Sequence, residues 1–78
     1  METYEYVYSL VKDWYSEYGV APRSRKKVIK ERIRNYVNRL PLQVISEIYQ
    51  IPVSPPITYS HFESDVEEFL VLISKKLR

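Results

Sequence analysis

Residues 23–39, RSRKKVIKERIRNYVNR, carry two superimposed patterns, and the apolar one decides the fold. Ile29, Ile33, Tyr36 and Val37 recur at the 3.6-residue period, with Leu40 extending the stripe, so the segment is amphipathic and helical. The spacing predicts a helix from about Arg25 to Arg39 or Leu40, ended or kinked by Pro41. In the connector VAPRS, Pro22 biases Ala21 away from helical geometry and Ser24 is placed to N-cap.

The same period runs outward in both directions. Tyr4, Tyr8, Val11, Tyr15 and Tyr18 define a first helix, widened by Val7, Leu10 and Trp14, with Gly19 as the expected C-terminal stop. A short third helix is expected from Pro41, carrying Val44, Ile45, Ile48 and Tyr49 inward and closed by Pro52. PVSPPITYS has no helical period and reads as a stiff, ordered loop. Ser60 with Glu63, and Ser64 with Glu67, have capping-box spacing and put the last helix's start near one of them. Its stripe is Phe62, Val66, Phe69, Leu70, Ile73 and Leu77. Asp65, Glu67 and Glu68 near its start and Lys75, Lys76 and Arg78 near its end complement the macrodipole. The chain therefore reads as one all-α domain over residues 1–78, a compact bundle of about four helices with the third short.

A chain of 78 residues buries only about 60% of the surface its unfolded form exposes, and without cysteine it has no disulfide or thiolate-zinc staple. Packing or dimerisation must supply the stability; a homodimer would also double any charged footprint. The single Gly, scarce amide side chains and abundant Ile, Tyr, Glu, Lys and Arg resemble the composition of heat-stable proteins. The first residues lack the features of a signal peptide, and the longest wholly apolar run, Phe69 to Ile73, falls far short of a membrane span. A cytoplasmic protein with no membrane partner is the expectation.

The second pattern is charge. Residues 23–39 hold eight of the chain's twelve Lys and Arg and one acid, Glu31, for a net +7, against −3 before them and −2 after. About the stripe centred on Ile33, Arg23, Lys27, Lys30 and Arg34 fall on one flank and Arg25, Arg32 and Arg39 on the other, with Glu31, Asn35 and Asn38 outermost. Arg23, Arg25, Lys26, Lys27, Lys30, Arg32, Arg34 and Arg39 are the candidate nucleic-acid contacts, because clustered cations neutralise phosphates and release counterions. The competing reading is that these side chains lie along the core margin and pair with the acidic first or fourth helix. A helix-turn-helix is poorly supported: the third helix offers chiefly Gln43, Ser46, Glu47 and Gln50.

Tyr4, Tyr6, Tyr8, Trp14, Tyr15 and Tyr18 are candidates for a protein interface, although all but Tyr6 follow the core period. His61 with Glu63 and Asp65 is a weak metal signal, and no metal or cofactor is expected. With no phosphate loop, no Ser/His/Asp set and no second histidine, the chain reads as non-catalytic. Two functions remain: an accessory or regulatory protein that contacts the phosphates of DNA or RNA, or an interaction subunit that docks its aromatic helix into a larger assembly.

Overall fold

Four apolar stripes at helical spacing can be buried at once only by facing one another, and that is the arrangement adopted. The computed structural model of the chain describes residues 3–77, and every regular element among them is helical. Helix α1 spans Tyr4–Val20, α2 Arg23–Val37, α3 Leu42–Tyr49 and α4 Phe62–Ser74, the last continuing into a 3₁₀ turn at Lys75–Leu77. Arg78 lies outside the described residues. No helix among them is long and apolar enough to cross a membrane.

Helix α1 packs against α2 and α4, while α3 closes on α4. Their shared core is Val7 and Val11, Ile29, Ile33 and Val37, Ile48, and Phe62, Val66, Phe69 and Ile73, joined by Ile57 from the loop before α4. Each is at most 3% exposed, and among the described residues no charged or polar one is fully buried with them. The radius of gyration is 12.0 Å, close to the ~11.5 Å expected of a well-packed chain of this length. Tyr4, Tyr8, Trp14, Tyr15 and Tyr18 seal the rim of this core, as their period predicts.

The helix ends depart from expectation, each for a local reason. Gly19 is not a stop: α1 runs through it to Val20, and the chain turns at Ala21 instead (φ −80°, ψ 151°). Ala21 precedes Pro22, whose ring excludes helical geometry there, so a left-handed glycine is not needed. Ser24 is not the N-cap of α2 either. Pro22 takes that position with φ −67° and ψ 163°, and its carbonyl accepts the Lys26 N–H at 2.8 Å, which draws Arg23 and Ser24 into the first turn. At the other end α2 stops at Val37, short of Arg39, and Pro41 caps α3 rather than opening it.

Helix α3 is ended by Gln50 in the left-handed region (φ 67°), before Pro52 is reached; the Gln50 N–H bonds the Ser46 carbonyl at 2.8 Å and its side-chain amide the Glu47 carbonyl at 3.1 Å. Neither expected capping box forms at α4. His61 is the cap, its N–H bonded to Thr58 Oγ1 at 3.2 Å, while Ser60 and Ser64 turn to the His61 ring and carbonyl. Leu77, expected in the α4 stripe, is 38% exposed because tightening into a 3₁₀ turn rotates it off that face.

The corrected end of α1 is testable. A Cβ on Gly19 would meet nothing within 4 Å, and its φ is not positive. Gly19→Ala should therefore raise stability by roughly 0.5–1 kcal/mol in urea denaturation, since Ala loses less entropy in a helix. Destabilisation instead would indicate a left-handed residue there.

Candidate nucleic-acid interface

Burial of Ile29, Ile33 and Val37, each wholly enclosed, fixes how α2 is rotated and so where its cations project. The two flanks meet different surroundings. Toward α1, Arg25 donates to Glu17 through Nη2 at 2.9 Å and Nε at 3.1 Å, and the Arg32 guanidinium lies 5.7 Å from the Trp14 ring centre. Lys26 folds inward, its ammonium donating to the Tyr18 carbonyl at 2.6 Å and lying 4.5 Å from the Tyr18 ring. A cation on the last carbonyls of α1 is favourable to that helix's dipole, so Lys26 has a structural task. These three of the eight candidates are engaged within the chain.

The opposite flank is open. Arg23 and Lys27 are exposed and have no hydrogen bond or ion pair with any described residue. Lys30 and Arg34 continue the same row, which spans roughly 16 Å from Arg23 to Arg34 at 1.5 Å per residue. Lys30 Nζ sits 3.6 Å from the centre of the Tyr59 ring and 5.4 Å from Phe62. Arg34 pairs with Glu31 at 2.9 and 3.2 Å, and its guanidinium is 5.5 Å from Tyr59. The Arg34 side chain is 24% exposed and its Nε is buried without a partner, so only the outward edge of the guanidinium is open to a phosphate. Its pair with Glu31, like the more exposed Arg25–Glu17 pair, contributes little to stability. Arg39 lies past the end of α2, exposed and without a polar partner among the described residues. The structure thus aligns four of the eight in one ridge, spends three on α1 and leaves Arg39 apart.

Tyr59 was not singled out by sequence, because nothing in PVSPPITYS indicates which face of the loop meets α2. Asn38 supplies the connection. Expected on the outermost surface of α2, it is instead partly buried, since the helix ends one residue before it and its side chain swings toward the loop. Its amide donates to the Ile57 carbonyl at 2.9 Å and its carbonyl accepts the Ile57 N–H at 3.0 Å. Asp65 Oδ2 then accepts both the Thr58 N–H at 2.9 Å and the Thr58 hydroxyl at 2.6 Å. Tyr59 follows directly and remains 53% exposed.

The aromatic first helix is largely spent inside the chain. Trp14 meets Tyr36 edge to face at 5.6 Å, and Tyr18 and Phe62 lie 5.0 Å apart. Tyr15 donates to Glu67 at 2.8 Å; burial, then that bond, raises its phenol above the ordinary value near 10 and keeps it a neutral donor. Burial, then the charge of Glu63, raises Tyr18 in the same direction. Of the six proposed interface aromatics only Tyr6, at 53%, is exposed. A concavity of about 710 Å³ opens elsewhere, among Tyr4, Val7, Leu40, Pro41, Val44 and Leu77. Among the described residues no three His, Cys, Asp or Glu side chains are grouped to hold a metal ion, and His61 Nδ1 faces Ser60 Oγ at 3.2 Å.

No protein-family model, curated protein or solved structure matches this chain.

Proposed function

We propose that this protein is a small non-catalytic nucleic-acid-binding accessory or regulatory factor that holds phosphates along Arg23, Lys27, Lys30 and Arg34. The observation that carries the reading is the state of that row: two cations with no partner among the described residues, in line with two more whose partners are aromatic or solvated. Cations fixed along a rigid helix meet a regularly charged backbone without first being ordered, and each phosphate neutralised releases counterions. Backbone positioning of this kind needs no base readout.

The test is fluorescence anisotropy of labelled oligonucleotides over a salt series. Four phosphate contacts should give a slope of log affinity against log salt of about −3.6 on duplex DNA and about −2.8 on a single strand. Arg23→Glu with Lys27→Glu should cut that slope by about half and weaken binding at least tenfold at low salt, with an unchanged circular dichroism spectrum because both side chains are exposed. Absence of binding at low salt, or unaltered binding by the double variant, would remove the ridge as the working surface.

The concavity beside Tyr4 favours a second reading, an interaction subunit that takes an apolar side chain of a larger assembly between α1 and the α2–α3 turn. Under it Val44→Glu, and not the double reversal, would break the complex.

A further inference from the structure

We propose that the ridge takes single-stranded rather than duplex nucleic acid, with Tyr59 as the platform on which one unpaired base stacks; this rests on the phosphate-binding reading above. A duplex groove has phosphates on both walls, so a helix inserted there runs between two rows of negative charge. Helix α2 has its two unpaired cations, Arg23 and Lys27, on one flank, while on the other Lys26 and Arg32 lie against Tyr18 and Trp14 and the charge of Arg25 is offset by Glu17. Between the flanks its outer face presents Glu31, an acid that would point at the groove floor. Helix α3, the other candidate for insertion, carries no Lys or Arg. A one-sided row of cations fits a single backbone.

Tyr59 adds what a single strand needs and a duplex does not use, an aromatic face for bases that are not already stacked on a complement. It borders the ridge: the Lys30 ammonium covers one face of the ring at 3.6 Å from its centre and the Arg34 guanidinium lies 5.5 Å away, so a strand following the cations passes the ring and a base would stack on its opposite face. The ring is exposed, yet the backbone around it is secured on both sides. Asn38 holds Ile57, Asp65 holds Thr58, and Thr58 Oγ1 receives the His61 N–H, while Pro56 and Ile57 are buried beneath. A platform ordered before binding costs no loop entropy at the moment of binding.

The experiment compares oligothymidylate, oligouridylate and a mixed-sequence duplex in the same anisotropy assay, using the full chain and the variants Tyr59→Ala and Tyr59→Phe. The parent should bind at least one single strand more tightly than duplex; the relative affinities of the two oligomers assign DNA or RNA. Tyr59→Ala should weaken single-strand binding roughly five- to 150-fold, the range that base–aromatic stacking spans, and leave duplex binding unchanged, while Tyr59→Phe retains the parent affinity. Denaturation curves for both variants should overlay the parent, because the side chain is outside the core. Duplex binding as tight as single-strand binding, or a Tyr59→Ala variant that binds single strands like the parent, overturns this proposal while the charge-reversal result still upholds the ridge. Failure of every probe to bind overturns both.

Discussion

Phe69→Ala should lose on the order of 3–5 kcal/mol of stability, the cost of removing a wholly buried aromatic ring and leaving its cavity. Phe69 sits at the middle of α4, fully enclosed, with the Tyr49 ring 6.4 Å away and the stripes of the other helices around it. A chain of this length commands roughly 4–12 kcal/mol in all, so one such loss removes a large share of the total. Urea denaturation followed by circular dichroism should show the midpoint collapse toward zero denaturant, with Tyr6→Ala, half-exposed on α1, moving by no more than about 0.5 kcal/mol. A loss below about 1 kcal/mol at Phe69 would mean that α4 does not carry the core.

Asn38→Ala should be the next most damaging change, at about 2–4 kcal/mol, though it removes no apolar contact. The Asn38 side chain is the hydrogen-bond partner of both the N–H and the carbonyl of Ile57, a residue with no exposed surface. Truncation leaves a donor and an acceptor unsatisfied, each costing about 1–3 kcal/mol where water cannot reach them. Asn38→Asp keeps the acceptor for the N–H but sets a carboxylate oxygen against the Ile57 carbonyl, so at neutral pH it should not rescue the loss. Limited proteolysis should find residues 51–60 cut faster in the Ala variant, since those bonds tie the loop to α2. Under the single-strand proposal, base stacking on Tyr59 should weaken along with them. Protection equal to the parent's would show that buried Pro56 and Ile57 anchor the loop unaided.

The all-α architecture was legible because helix formation here follows a repeating local signal. Ile29, Ile33 and Val37, and Val66, Phe69 and Ile73, keep the 3.6 period without interruption, and burying two such stripes leaves few alternatives to a bundle. The cation ridge was legible for the same reason: once Ile33 faces inward, the angle of Lys27 or Arg34 about the helix axis is arithmetic. The helix ends were less so. Ser60 and Glu63 have the right spacing for a capping box, but the start of α4 is held by Thr58, which the loop brings against the His61 N–H and against Asp65 in the helix's first turn. Local spacing cannot report which of several nearby hydroxyls the tertiary fold delivers.

The division between engaged and open cations shows the same limit at the site. Eight positive charges in seventeen residues are evident in the chain, and so is their split into two flanks. Nothing local indicates that Glu17, Tyr18 and Trp14 will occupy one flank while the other stays open, because those contacts depend on how α1 crosses α2. Tyr59 is the extreme case. Its place beside Lys30 depends on an Asn38–Ile57 pairing across nineteen residues, between a helix end and a loop without period. Periodic burial is a short-range property that residue order encodes directly, so order alone specifies the four helices, their buried stripes and the angular place of the charges along α2, but not Ile57, which enters the core from a loop without period. Which charges remain free, and which ring stands beside them, is a property of surfaces meeting at long range, and only the packed chain decides it.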